Sequence, residues 1–370
     1  MTHDVWVEVD LAALRHNLKQ VRSLLGDKVK LTAVVKGNGF GHGYVEPSRA
    51  FLAAGADALA VTRLDEALAL RQGGINAPIT LFAPIQPENA ETAIDAGLGM
   101  TVADTGLLEA IAAAAAKLGA TARIHVKVDT GMGRLGLLPA DVPAFFEKLR
   151  CTPGVEVVGT YTHFATAAAP DLAAAQAQLR VFRDVLRQLD ESGANHGLAH
   201  AANSAAILRM PEAHLDMVRP GTILYGQYPS PSLPHRLDLK PTWQLKARVC
   251  EVRRLRRGSK VGYGGEFTTT RETVAAVVPI GYAEGFTLVP EGPVYRQGIL
   301  KFAARRMKRS LAVSIRGKKV PVIGRVAMQM CVVDVTNAGV VETGDEVTIP
   351  AMRIPTSALV PRIYVDSGSF

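Results

Sequence analysis

Leu31-Thr32-Ala33-Val34-Val35-Lys36-Gly37-Asn38-Gly39-Phe40-Gly41-His42-Gly43 reads as a buried strand that ends on a lysine and runs into a glycine-rich loop. An ammonium at the end of an apolar strand is costly to hide, because desolvation disfavours its charge. Four glycines in the seven residues after Lys36 leave little bulk around the amine and let backbone approach a ligand closely. An amine so placed suits Schiff-base formation with a carbonyl cofactor such as pyridoxal phosphate. A surface lysine capping a strand before a flexible loop is the plainer alternative, and this segment alone does not separate the two.

The same strand-then-loop pattern recurs downstream. Candidate strands fall at residues 31–35, 58–62, 79–83, 99–103, 123–128, 157–162, 198–202 and 217–224, with helical patterns at 64–72, 105–118, 142–149 and 172–191. Eight alternations over the first 225 residues predict a parallel (β/α)8 barrel of the TIM type. A doubly wound open sheet, the main competitor, usually has fewer strands. Past a Pro/Ser-rich linker candidate at 228–234, strand follows strand at 245–252, 273–279, 311–315, 319–323, 330–334 and 346–349. The expectation is an α/β chain with a barrel over residues 1–235 and a smaller all-β domain over 236–370.

Composition narrows the class. With 370 residues, 48% hydrophobic and 21% charged, the chain fits an ordinary two-domain globular protein. The net charge of +8 raises a nucleic-acid partner. The densest basic runs, Arg253-Arg254-Leu255-Arg256-Arg257 and Arg305-Arg306-Met307-Lys308-Arg309, have no interleaved aromatics and read as solvated faces. Cys151, Cys250 and Cys331 are far apart and imply neither a disulfide framework nor a metal site. Met1-Thr2-His3-Asp4-Val5-Trp6 is not a leader, and no apolar stretch has membrane-spanning length. A cytoplasmic protein without membrane or nucleic-acid partners is expected.

Barrel enzymes carry reactive groups at the C-terminal ends of their strands. Those positions hold Lys36, the Lys127–Arg134 segment, His163, Asn203-Ser204 and Arg219-Pro220-Gly221-Thr222. Each alone has a bland reading: His163 as a core histidine, Arg219 as a partner of Asp216. Together they form a polar, cationic cup. Ser204, at a helix start, and the backbone N–H groups of Gly221 and Thr222 suit a phosphate after strands seven and eight, the recurring phosphate site of this fold. Arg219 then faces the cofactor's pyridine nitrogen.

The chain resembles the alanine racemase family over essentially its whole length. The motifs are Val7-Glu8-Val9-Asp10-Leu11, the Lys36 segment, His125 to Gly136, Thr162-His163-Phe164-Ala165-Thr166, Ala202-Asn203-Ser204, Arg219-Pro220-Gly221 and Gly281-Tyr282-Ala283-Glu284-Gly285. The resemblance implies a pyridoxal 5'-phosphate enzyme, with Lys36 carrying the cofactor and His163, Asn203, Ser204, Arg219, Gly221 and Thr222 around it. It implies a homodimer in which Tyr263 from the β-domain completes the partner's site. Lys36 and Tyr263 then serve opposite faces of the substrate Cα, and Arg134, Met328 and Tyr282 contact substrate. Inversion through a planar carbanion needs one acid/base on each face; a phenol, with a reference pKa near 10, needs a tuning neighbour such as His163 or Arg134. A donor-only guanidinium at Arg219 leaves the pyridine nitrogen unprotonated and the electron sink weak. The lysine matching Lys127 is often carbamylated in the family and holds the arginine matching Arg134.

Three positions depart from the family pattern. Phe40 and Ala358 replace tyrosines that reach the phosphate, and Gln329 stands where aspartate is usual. Losing two hydroxyls and one ring implies weaker cofactor retention; the expected activity is alanine racemisation, either with a roomier pocket and a wider substrate range or, where other residues refill the space, with alanine kept as the substrate. Retro-aldol or decarboxylation chemistry on the same scaffold and a non-catalytic pyridoxal-phosphate-binding protein are the alternatives. Arg219 argues against the decarboxylases, and the β-domain with Tyr263 against the binding protein.

Overall fold

The computed structural model describes residues 3–288 and 311–368, so the basic run 305–309 lies outside the described residues. Strand β1 (Val5–Asp10) precedes eight parallel strands that close into a barrel: β2 (Lys30–Val34), β3 (Ala58–Val61), β4 (Ile79–Leu81), β5 (Leu98–Val102), β6 (Ala122–Lys127), β7 (Val155–Tyr161), β8 (Leu198–Asn203) and β9 (Met217–Arg219). β2 pairs with both β3 and β9, which closes the ring. The expected barrel is therefore present. The last strand is shorter than the 217–224 run implied, because Pro220-Gly221 ends it and Thr222–Tyr225 forms a 3-10 turn.

Helices cover the barrel with one apolar stripe each. In Ala173–Glu191 the buried residues are Ala175, Gln178, Leu179, Phe182, Val185, Leu186 and Leu189, the 3–4 spacing of an amphipathic helix. Helix Thr105–Leu118 starts on Asp104, whose carboxylate accepts from Leu107 N–H at 2.8 Å, and stops at Gly119 in the left-handed conformation.

The second unit is a nine-stranded sheet plus a two-stranded ribbon. The ribbon pairs β12 (Lys260–Val261) with β13 (Phe267–Thr268). The sheet adds β10 (Trp243–Arg248), β11 (Glu251–Leu255), β14 (Thr273–Val278), β15 (Ala312–Ile315), β16 (Lys318–Ile323), β17 (Cys331–Asp334), β18 (Glu346–Ile349) and β19 (Arg362–Val365), in the order β11-β14-β17-β16-β15-β18-β10-β1-β19. β1 is thus not a barrel element: it pairs antiparallel with β10, with Val7 opposite Leu245. The chain divides into residues up to Val9 with Trp243–Val365, and Asp10–Thr242 with the residues from Asp366, not at 235/236. The proline-rich stretch is no free linker. Buried Asn17 donates to Leu224 and Lys240 carbonyls at 3.2 and 2.9 Å and accepts from Lys240 N–H at 2.8 Å, tying residues up to 240 to the barrel. Arg253 and Arg254 lie exposed on β11, an edge of the sheet, where charge discourages further strand pairing.

Phe182 is fully buried between helix and barrel wall. Phe182→Ala is expected to lower the unfolding free energy by about 3–5 kcal/mol, while Val181→Ala, on the solvent side of the same helix, changes it by less than about 1 kcal/mol. Urea denaturation of the two variants checks this.

Candidate active site

Lys36 follows β2 directly, and the next four residues make one left-handed turn. Gly37, Asn38, Gly39 and Phe40 have φ of 62°, 55°, 57° and 53°. A left-handed turn costs about 1–2 kcal/mol per residue with a Cβ, so the glycines at 37 and 39 remove much of the strain. They serve the turn's own backbone, a use that the reading of an open, ligand-hugging loop did not include. Gly37 N–H donates to Glu66 Oε1 at 2.7 Å, and Phe40 stacks on Tyr225 with ring centroids 4.7 Å apart. Glu66 also accepts from Thr62 and Arg63 N–H at 2.9 and 3.1 Å and from the Tyr44 hydroxyl at 3.2 Å. The sequence pass missed Glu66. Its signal was a capping box, hidden because Arg63 rather than Ser or Thr occupies the N-cap. Burial first, and then Arg134, holds the Lys36 amine below the usual lysine range, with Glu66 opposing.

Lys127 ends β6. Its amine is buried with no hydrogen-bond partner and lies 4.6 Å from the centroid of the Tyr161 ring. Burial, then Arg219, brings its pKa down to about 7. The loop that follows is pinned by Asp129, whose Oδ1 accepts from Gly131, Met132 and Gly133 N–H at 3.0, 2.8 and 3.1 Å. That pinning fixes the backbone before Arg134.

Arg219 ends β9 and is buried among acceptors. Nη2 donates to the carbonyls of Thr162 at 2.7 Å and Ala201 at 3.0 Å, and Nη1 donates to His200 Nδ1 at 2.8 Å. Tyr161 stacks flat on His200, 4.8 Å between centroids, and its hydroxyl bonds Thr101 at 2.8 Å. Burial raises the Tyr161 phenol to about 12 and lowers Arg219 to about 10. Tyr161, His125 and His200 had no role in the sequence reading; barrel-lining positions alternate with outward ones, but short strands hid the phase.

The helix Ser204–Arg209 starts at Ser204 as expected, with Asn203 as its cap, the Asn203 Oδ1 accepting from Ala205 and Ala206 N–H, both at 3.1 Å. One expected phosphate donor changes. Gly221 N–H is not free: it donates to Ser204 Oγ at 2.9 Å. Accepting that bond turns the Ser204 hydroxyl hydrogen outward, so Ser204 remains a donor, beside Thr222 at the start of its 3-10 turn.

One cavity of about 540 Å³ gathers every barrel residue named from the sequence: Lys36, Lys127, Arg134, His163, Asn203, Ser204, Arg219, Gly221 and Thr222. Its lining has no carboxylate. Hydroxyl donors at one place, spare guanidinium donors at another and an amine of lowered pKa fit a phosphorylated pyridine aldehyde. Tyr263, Tyr282 and Met328 belong to the other unit and are exposed there by 71%, 47% and 58%. Their loops are neighbours: Tyr282 N–H donates to Ala327 O at 3.3 Å, Ala283 N–H to Met328 O at 3.0 Å, and a Cβ on Gly262 would meet Arg325 N at 3.2 Å. Gln329 donates to Glu284 at 3.1 Å, and Ala358 is exposed. Among the described residues no group of His, Cys, Asp and Glu converges as a metal site.

Burial, with Arg219 next, depresses three histidines: His125 to about 4, His163 to about 3, and His200 well below the usual value. An unfolded histidine titrates near 6.5, so between about pH 6.5 and 4 the unfolded chain takes up protons that the folded chain refuses. Stability is complete above pH 6.5 and falls as pH drops below it, by up to about 4 kcal/mol per pH unit for three histidines. The denaturant midpoint is expected to drop steeply from pH 7.5 to 5; a flat midpoint there would mean the rings are charged in the folded protein.

Comparison with known proteins agrees with this geometry. Residues 9–229 match the alanine racemase N-terminal domain and residues 242–359 the alanine racemase C-terminal domain. An alanine racemase of Desulforamulus reducens is 41% identical, covering 99% of this chain and 100% of that protein. The structure of an alanine racemase from Clostridium difficile 630 superposes with a TM-score of 0.91 at 32% identity, covering 100% of this chain and 97% of that one. A histidine racemase from Leuconostoc mesenteroides superposes with a TM-score of 0.86 at 25% identity, covering 98% of each chain. No helix among the described residues is long and apolar enough to cross a membrane. With both domains matched and relatives aligned along nearly their full lengths, this chain belongs to the alanine racemase family of enzymes.

Proposed function

We propose that this protein interconverts the enantiomers of a small amino acid, alanine foremost, with pyridoxal 5'-phosphate held on Lys36 in the barrel cavity. The observation that carries this reading is the convergence of Lys36, Ser204 and Arg219 on one cavity lined by basic groups and no acid. Bound there, the cofactor supplies the acidity of the substrate's Cα proton. Ser204 and Thr222 hold its phosphate, and Arg219 donates to its ring nitrogen. A guanidinium keeps its proton, so the ring nitrogen stays unprotonated. Arg134 takes the substrate carboxylate, with the Met328 backbone and Tyr282 supplied by a second subunit of a homodimer.

Lys36, with its amine pKa lowered by burial, accepts or returns the Cα proton on one face. Tyr263 of the second subunit serves the other face. Lys127, with its pKa brought down to about 7, has a large share of free amine near neutral pH; that amine takes up carbon dioxide with loss of one proton, and the carbamate formed pairs with Arg134. Phe40 and Ala358 remove two hydroxyls from the cofactor's surroundings and one ring from the substrate path, which admits side chains larger than methyl.

Four measurements test this. Protein loaded with pyridoxal phosphate absorbs in the visible, and Lys36→Ala abolishes both the band and racemisation. Tyr263→Phe keeps the band, loses racemisation by a factor on the order of 10²–10⁴, and in D2O still exchanges the Cα proton of one enantiomer only. Exchange of both enantiomers by that variant would remove Tyr263 from the reaction. Kinetics with alanine, serine, lysine and arginine check the range, and strict rejection of all three larger substrates would refute it. Carbon-13 NMR in labelled bicarbonate is expected to show one carbamate signal, absent in Lys127→Ala.

A further inference from the structure

Beneath the cavity, inside the barrel, lie two histidines that the proposed reaction does not use. His125 on β6 and His200 on β8 are 5% and 0% exposed. His200 Nδ1 lies 2.8 Å from Arg219 Nη1, His200 Nε2 lies 3.2 Å from His125 Nδ1, and His125 Nε2 lies 3.1 Å from Thr80 Oγ1. Donor counting fixes every proton in this series. A guanidinium only donates, so His200 Nδ1 must accept and its one hydrogen sits on Nε2. That hydrogen is given to His125 Nδ1, which places the hydrogen of His125 on Nε2, directed at the Thr80 hydroxyl oxygen.

The neighbouring strands leave space for this contact. An added Cβ on Gly159 of β7 would stand 2.8 Å from His125 Nδ1 and 3.1 Å from His200 Nε2, the two atoms that bond each other. One on Gly99 of β5 would stand 3.0 Å from His125 Nε2. Neither glycine has a positive φ, so neither is required by backbone conformation. A strand glycine sacrifices packing, and here it vacates room for the paired rings.

We propose that Thr80, His125 and His200 form a one-way hydrogen-bond chain that orients the Arg219 guanidinium toward the cavity, with Gly99 and Gly159 keeping its path open. The three are positioning residues. Their effect on catalysis rests on the reading of Arg219 as the donor to the cofactor's ring nitrogen; the arrangement of protons does not.

The test uses full-length, pyridoxal-phosphate-loaded protein labelled with nitrogen-15 in histidine. Long-range proton–nitrogen spectra are expected to show Nε2 protonated and Nδ1 bare in both rings, and a protonated Nδ1 on His200 overturns the chain whether or not the protein racemises anything. Thr80→Val removes the terminal acceptor at nearly constant shape, and Thr80→Ser restores it. For Thr80→Val, kcat for alanine is expected to fall by a factor on the order of ten, with KM changed by less than about two-fold. Thr80→Ser is expected to recover the wild-type kcat. Equal rates for all three proteins, or equal loss in both variants, would overturn the positioning role. Gly99→Ala, whose Cβ would meet His125 Nε2 at 3.0 Å and Ile79 O only at 3.6 Å, is expected to lose the His125 signature in the same spectra; an unchanged spectrum counts against the chain.

Discussion

The burial of several basic side chains in one cavity is the constraint on which the rest of the site depends. Four basic side chains, Lys36, Lys127, Arg134 and Arg219, line a space with no carboxylate. Burial first, and the neighbouring cations after it, push the groups that can lose a proton toward losing it: both lysines lie below their usual range, and the barrel histidines stay neutral. Arg219 begins high enough to remain charged even at about 10. The result is a division of labour set by intrinsic basicity. The arginine stays a fixed cation, while the lysines become amines able to attack or accept protons. An anion bearing a phosphate or a carboxylate would offset this charge and, by binding only the folded state, would add to stability.

The barrel and its reactive strand ends were legible in the sequence because one rule governs both. Alternation gave the strands, and the residues immediately after them gave Lys36, Lys127, His163, Ser204 and Arg219 without knowledge of any distance. What escaped had no local signature. The left-handed turn at 37–40 depends on Glu66, a residue 29 positions downstream of Gly37 that accepts its N–H. Gly99 and Gly159 look like ordinary weak points in strands until the histidine rings are in place. The segment 5–10 fell within the 1–235 barrel domain, yet β1 lies between β10 and β19, both more than two hundred residues away.

Phe40 shows how a residue change and a backbone constraint interact. Its ring stacks on Tyr225, and its Cζ would lie 3.0 Å from a Cβ on Gly221. Phe40 therefore holds the left-handed turn against the Gly221 side of the cavity by packing alone. A tyrosine in this place would project its hydroxyl from Cζ toward Gly221. The aromatic face and the hydroxyl are separable contributions, and this chain retains the first.

A racemase needs a second acid/base, and the barrel cavity offers poor candidates for it. His163, held at about 3, is too weak a base. The Tyr161 phenol, pushed up to about 12, already bonds Thr101 and is too weak an acid. The Lys127 amine lies over the face of the Tyr161 ring, and on the proposed reading it is taken up as the carbamate that pairs with Arg134. Lys36 is left without a partner of suitable strength inside its own barrel. On the proposed mechanism the second group comes from elsewhere, and the exposed phenol of Tyr263, like the exposed Tyr282 and Met328, is open to such a use.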